Sequence, residues 1–242
     1  MTQTLSQVIP KQGDASPKAA QVQGMFDRIA RSYDLLNDCI SFGMHRLWKR
    51  EACKLLNLKH GDHVLDVCSG TGDLIAYLQP HVSDNGQITA LDFSEQMLEM
   101  ARHRFGQSDN VLFRQGDATS LPYAEDAFDA AIVSFGLRNV IDIPCAIREM
   151  TRVTKPGGWV VNIDTCPEPK LPGYWFYFSL IMPVIGRVLS MDPTAYKYLA
   201  ESTKHFLTPE QLKTEFKNAG LQNVQSRTLM FGSVSLQAGQ KL

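Results

Sequence analysis

Val64-Leu65-Asp66-Val67-Cys68-Ser69-Gly70-Thr71-Gly72-Asp73-Leu74 is the stretch that decides how this chain folds. The residues Val64 to Val67 read as a strand, Gly70 and Gly72 form a tight turn, and a helical pattern opens straight after them. Glycine at these two positions tolerates left-handed backbone and lets a ligand approach without colliding with a Cβ. Asp92, twenty residues beyond Gly72, ends the next apolar run, where a carboxylate can accept both hydroxyls of a ribose. A Gly-x-Gly alone is a weak signal that also suits a purely structural turn. Strand, turn, helix and distal acid together specify a nucleoside cradle.

The kind of nucleoside follows from what the turn lacks. A dinucleotide fingerprint places a third glycine three residues after the second, and this chain has Ile75 there. Asp73 stands at the helix opening, where its charge suits the helix dipole but repels a pyrophosphate competing for the same N–H groups. A phosphate-free, positively charged cofactor fits better. The turn Ser69-Gly70-Thr71-Gly72 is therefore expected to hold S-adenosylmethionine rather than NAD.

At 242 residues and 44% hydrophobic, the chain suits one α/β domain with a sizeable core. A net charge of −1 provides no broad basic field, which disfavours nucleic-acid partners. His45, Arg46, Lys49, Arg50 and Lys54 gather on one helical stretch, expected to be a solvated face. Five scattered cysteines without C-x-x-C spacing read as reduced thiols of a cytoplasmic protein, and no metal site is expected. No secretory or mitochondrial targeting pattern precedes Arg28, and the polar residues 1–21 read as a mobile tail ahead of a single domain over 22–242.

Apolar residues recur at helical spacing over Val22 to Tyr33 and His45 to Leu56, giving a helical cap over 22–58. Strands are expected at Val64 to Val67, Gln87 to Leu91, Val111 to Gln115, Ala130 to Ser134 and Trp159 to Ile163. Amphipathic stretches such as Ser94 to Phe105 and Ile143 to Val153 lie between them. This alternation predicts a parallel sheet with right-handed crossovers. Lys155-Pro156-Gly157-Gly158 reads as the turn from helix to strand. Thr208-Pro209-Glu210-Gln211 carries a capping box that starts a helix, and Gly220 ends it. Val224 to Phe231 and Ser233 to Gln240 then form a hairpin joined at Gly232.

Other strand ends are polar too. Asp117, after the third strand, can accept from the exocyclic amine of adenine, and Ala118 leaves room for the ring. Ser134 ends the fourth strand beside the expected methionine end of the cofactor. Each acid taken singly also reads as a helix or turn cap.

Three stretches resemble the UbiE-type C-methyltransferases of ubiquinone and menaquinone biosynthesis. Tyr33-Asp34, Asn37, Ser41, His45 and Trp48 match one pattern, with Leu36 where the family usually has Met. Arg152-Val153 and Lys155-Pro156-Gly157-Gly158 match the first half of another, whose second half, usually Leu-Glu-x-Ser, is Ile163-Asp164-Thr165-Cys166 here; Thr154 also replaces an aliphatic residue. Ser134-Phe135-Gly136-Leu137-Arg138-Asn139 is the third stretch. The resemblance implies a class I methyltransferase fold, α/β and Rossmann-like, with a mostly parallel seven-stranded sheet that takes one antiparallel strand from the C-terminal hairpin.

It also implies methyl transfer from S-adenosylmethionine to a ring carbon of a polyprenylated hydroquinone. Demethylmenaquinol is favoured, with a methoxy-benzoquinol intermediate of ubiquinone or demethylphylloquinol as alternatives. A ring carbon is a poor nucleophile unless the neighbouring hydroxyl is ionised, so the site needs a group that holds a phenolate. Arg138 and Asn139, just beyond Ser134, are placed for this, and Arg138 is too basic to be an ordinary general base. Tyr33 could meet the second ring oxygen. The plainer readings are an ion pair of Arg138 with an acid such as Asp142, and simple packing for Tyr33.

Tyr174 to Ile185, within an insertion over 168–206, is the most apolar stretch but is too short and interrupted to span a bilayer. It is expected to cover the substrate pocket and touch a membrane surface, or else to pack on the sheet as a core helix. A homodimer is compatible with the sequence. Two competing functions are a non-catalytic scaffold of a quinone-synthesis assembly and, more weakly, an NAD oxidoreductase.

Overall fold

The computed structural model describes residues 24–25, 27, 37–38, 40–170, 173–176 and 193–242. The tail over 1–21, most of the first cap helix, Tyr33 and most of the apolar cover lie outside the described residues. The seven strands are β1 (His63–Val67), β2 (Gln87–Asp92), β3 (Val111–Gln115), β4 (Phe128–Ser134), β5 (Thr154–Thr165), β6 (Gln222–Leu229) and β7 (Val234–Gln240). They form one sheet in the order β3-β2-β1-β4-β5-β7-β6. All neighbours pair in parallel except β7, which runs antiparallel to both β5 and β6. The expected fold class is the observed one.

Among the described residues, six helices of eight residues or more flank the sheet: α1 (His45–Leu55), α2 (Ile75–Val82), α3 (Glu95–Phe105), α4 (Ile143–Val153), α5 (Pro193–Lys204) and α6 (Pro209–Asn218). Alternate strand residues feed two cores, as expected of parallel strands covered on both faces. Val64, Ile88, Ala130 and Ile132 pack with Trp48 and Ala52 of α1 and Leu78 of α2. Leu65, Val67, Ala131 and Val133 pack with Ile147 and Met150 of α4 and Phe216 of α6. Ser94 caps α3 by accepting from the Met97 N–H, and Thr208 and Gln211 form the expected reciprocal capping box of α6.

Two local expectations change. Thr154 already pairs with Phe128, and pairing resumes only at Ala130 opposite Trp159, so Lys155-Pro156-Gly157-Gly158 is an excursion inside β5 rather than a turn ahead of it. The hairpin loop is a short 3-10 turn over Met230–Gly232, and Phe231 leaves the strand with φ 52°.

The topology dictates where a ligand sits. From β1 the chain builds outward through β2 to β3, then returns to place β4 on the other side of β1. Connections leaving the carboxyl ends of β1 and β4 therefore diverge and open a crevice, the usual ligand position in such sheets. Val67 pairs with Leu91 on one side and Val133 on the other, so the glycine turn, Asp92 and Ser134 meet at that crevice.

Candidate active site

The glycine turn is tied to the ends of its neighbours. Ser69 N–H donates to the Leu91 carbonyl (3.0 Å), and Gly70 N–H donates to Asp92 Oδ2 (2.8 Å). A Cβ on Gly72 would lie 2.9 Å from Ile75 Cδ1 and 3.1 Å from Ala101 Cβ, and its φ of +77° also requires glycine. The helix opens at Ile75, two residues beyond Asp73, with no side-chain cap. Asp73 precedes the N-cap residue Leu74 and makes no capping hydrogen bond, though its charge still lies at the helix opening. Its Oδ2 accepts instead from Lys49 Nζ of α1 at 2.6 Å.

This pair corrects the reading of α1 as a solvated face. Arg46, Arg50 and Lys54 are exposed, but His45 and Lys49 are buried toward the glycine turn. His45 Nε2 and Arg104 Nη2 each approach the Asp73 carboxylate at 3.7 Å. Burial works against the Asp73 charge, yet Lys49, with His45 and Arg104, outweighs it and holds the carboxyl below its ordinary range. Burial, followed by the charge of Lys49, pushes the His45 imidazole down and keeps it neutral.

Asp92 stands where the sequence puts it. Burial pushes its carboxyl up, opposed by backbone N–H groups of Ser94, Gly70 and Phe93. Ser94 N–H donates to Oδ1 (2.9 Å), and Ser94 Oγ donates to Asp27 Oδ1 (2.6 Å), linking the N-terminal region to this wall. Asp117 follows β3 at the same edge. Its Oδ1 accepts from both Thr119 N and Thr119 Oγ1 at 2.8 Å, so it also serves as a turn cap; Ala118 beside it is buried.

The sequence reading missed Asp66. It is 1% exposed in the middle of β1, and neither carboxylate oxygen has a hydrogen-bond partner. Burial pushes its pKa up to about 8, with Lys49 pulling the other way. An acid inside the run Val64 to Val67 was the available signal, because an unpaired carboxylate has no place in an apolar strand without a ligand or a proton. Ser69 Oγ and Ser134 Oγ are likewise buried without a partner, and all three side chains line one small cleft with Lys49, Thr71 and Phe135.

Beyond Ser134 the backbone turns through Phe135 and Gly136 into a short 3-10 turn over Leu137–Asn139. A Cβ on Gly136 would run into Cys68 Cβ, so glycine lets this turn lie against the end of β1. Arg138 Nη1 donates to Asp164 Oδ1 and to the Phe135 carbonyl, both at 2.6 Å, and Arg138 N–H donates to Asp164 Oδ2 (3.2 Å). The acid paired with Arg138 is thus Asp164 of β5, not Asp142, which caps α4 by accepting from the Cys145 N–H. Asn139 Oδ1 accepts from the Tyr198 hydroxyl of α5 (3.0 Å), and Thr165 Oγ1 meets Thr203 Oγ1 of the same helix at 3.0 Å. Burial pushes the Tyr198 phenol up, while Arg138 opposes this. Asp164 and Tyr198 were not assigned to the site from sequence, because nothing local announces that β5 and α5 converge on Arg138 and Asn139.

The sheet order and the crevice define a Rossmann-like methyltransferase fold. Solved structures of the same architecture include a SAM-dependent methyltransferase from Aquifex aeolicus (19% identity, TM-score 0.59, covering 80% of this chain and 89% of that one). Another is a possible histamine N-methyltransferase from Thermotoga maritima (22%, TM-score 0.62, covering 91% and 99%). A third, phosphoethanolamine N-methyltransferase 2 from Haemonchus contortus in complex with S-adenosylmethionine, aligns at 14% identity and TM-score 0.63, covering 80% of this chain and 52% of that one.

Residues 14–241 match the ubiE/COQ5 methyltransferase family, and the chain belongs to it. Among its relatives, the demethylmenaquinone methyltransferase of Staphylococcus aureus (strain JH9) is 38% identical over 232 residues, covering 94% of this chain and 96% of that protein. The chain is an S-adenosylmethionine-dependent methyltransferase.

Proposed function

We propose that this enzyme methylates a ring carbon of a polyprenylated naphthoquinol, turning demethylmenaquinol into menaquinol. The observation that carries the reading is the placement of Arg138 and Asn139 on the 3-10 turn just past Ser134 and Phe135, which line the cleft with the unpartnered acid Asp66. The closely related S. aureus protein named for demethylmenaquinone supports this choice of ring.

The residues present fit the methyl donor. Asp92 is assigned to the ribose hydroxyls, Asp117 and Ala118 to adenine, and the turn Ser69-Gly70-Thr71-Gly72 to the backbone contacts. Buried polar atoms without partners mark where further donors and acceptors are expected, and Asp66 and Ser134 suit the amino-acid end. When bound, S-adenosylmethionine supplies an electrophilic methyl group.

The chain's own contribution is to hold the ring oxygen as it ionises. Arg138 remains protonated, and Asp164 fixes its Nη1 edge while the Phe135 carbonyl fixes its reach. A guanidinium pinned in this way is preorganised for a phenolate and costs little rearrangement as charge develops. Asn139 supplies a second, neutral contact. Tyr33, outside the described residues, is assigned to the other ring oxygen.

The lipid tail calls for an apolar approach, and exposed aromatic residues support contact with a membrane surface at this edge. Phe42 precedes α1, whose Lys49 lines the cleft, and Phe231 sits on the loop ahead of Val234, which pairs with Thr165 at the carboxyl end of β5; they are 75% and 69% exposed. No helix among the described residues is long and apolar enough to cross a membrane.

The test is release of S-adenosylhomocysteine by the purified chain when offered demethylmenaquinol or a demethylated methoxy-benzoquinol in lipid vesicles. Turnover of the naphthoquinol is expected to dominate. Turnover of neither ring overturns the proposal, and a preference for the benzoquinol moves the enzyme to the other quinone.

A further inference from the structure

We infer that Lys49 of α1 is the cationic partner of the α-carboxylate on the donor's methionine end, and that Ser41 and His45 hold the helix that presents it. The inference rests on the reading of the glycine turn as the donor's site. A lysine with a 7% exposed side chain is rare unless something accepts its charge. Asp73 accepts it at 2.6 Å, but the Arg104 guanidinium also lies 3.7 Å from Asp73, so a cation remains beside that carboxylate if Lys49 turns to another anion.

The opposite sign is also present in this cleft. Lys49 and its partner Asp73 line it together with Asp66, whose two oxygens have no protein partner and which can ionise against a bound ammonium, so the cleft offers a ligand one cation and one ionisable acid. An amino acid's α-carbon bears the complementary pair of charges. A pyrophosphate bears only negative charge, and a decarboxylated donor only positive.

The surroundings of Lys49 are built for position. Ser41 Oγ donates to the Asn37 carbonyl (2.7 Å), so the 2.8 Å contact between Ser41 Oγ and His45 Nδ1 has the ring N–H as donor. Trp48 packs against Phe135 with ring centroids 6.5 Å apart, and Lys49 Nζ lies 5.9 Å from the same ring, fixing α1 to the residue that follows Ser134. The pattern Asn37, Ser41, His45, Trp48 thus supports Lys49.

The experiment compares S-adenosylmethionine with its decarboxylated form, which keeps the adenosyl, sulfonium and amine groups. Affinities for both are measured by calorimetry on the full chain, wild type and Lys49→Met. The wild type is expected to prefer the carboxylated ligand. Lys49→Met is expected to weaken that ligand about ten- to a hundredfold and to leave the decarboxylated one nearly unchanged. Lys49→Arg should recover much of the loss, and Asp73→Asn should keep the preference.

Equal losses for both ligands in Lys49→Met, or no loss for either, overturn the assignment, as does a wild type that binds the two equally. A wild type that binds neither removes the donor site itself and this assignment with it. Thermal unfolding of each variant shows whether it is folded; if Lys49→Met is not, Lys49→Gln takes its place in the comparison.

Discussion

Arg138 Nη1 and Asp164 Oδ1 lie 2.6 Å apart, and their side chains are 7% and 0% exposed. This buried pair joins the turn after β4 to the end of β5. It also gives a role to the position at which the chain departs from the family pattern, aspartate standing where glutamate is usual.

Removing one partner strands the other charge. Asp164→Ala is expected to destabilise the fold by about 3–5 kcal/mol, the scale for breaking a buried ion pair from one side. Urea denaturation checks the magnitude. Asp164→Glu keeps the charge with one extra methylene and should retain most of the stability.

Arg138 and Asp92 should fail in different ways. Asp92→Ala is expected to abolish measurable donor binding by calorimetry. Arg138→Lys preserves a charge for Asp164 but loses the planar fork, and should bind donor normally while turnover falls about 100-fold or more. Full turnover in Arg138→Lys would remove Arg138 from the chemistry.

Asp66 predicts a pH signature. Its folded pKa of about 8 exceeds the ordinary 3.8, so the ligand-free folded state holds a proton that the unfolded state has lost across this window. Its contribution to stability is complete below pH 3.8 and is lost as pH rises toward 8, at up to about 1.4 kcal/mol per pH unit. Asp66→Asn should flatten that slope in thermal unfolding followed from pH 5 to 8. If the donor's ammonium is received by ionised Asp66, binding at pH 7 releases a proton, which calorimetry in buffers of different ionisation enthalpy detects.

Thr208→Ala separates stability from function. Loss of the hydrogen bond from Gln211 N–H to Thr208 Oγ1 should cost about 1 kcal/mol in denaturation. Turnover should not change, because α6 packs behind the sheet on Phe216 and Leu212, away from the glycine turn.

How much was legible from sequence depended on range. The turn from Ser69 to Gly72, the acid at Asp92 and the capping box at Thr208 are local chemistry, and each sits where spacing put it. The seven-stranded sheet with one antiparallel strand from the C-terminal hairpin came from family resemblance, since strand periodicity carries no pairing information. What escaped were partners distant in sequence: Asp73 with Lys49, Arg138 with Asp164, Asn139 with Tyr198. Asp66 escaped for another reason. Its strand neighbours made the run look like plain core, and only its burial without a partner singles it out.

The antiparallel β7 has a consequence for synthesis. β6 leaves the ribosome before β7, yet among the described residues its only neighbour in the sheet is β7, and β5 keeps a bare edge along Trp159 to Thr165 until residues 234–240 emerge. Translation therefore delivers a nearly finished domain with an adhesive flank, and the order of emergence defines the interval in which a chaperone or a neighbouring nascent chain competes for it.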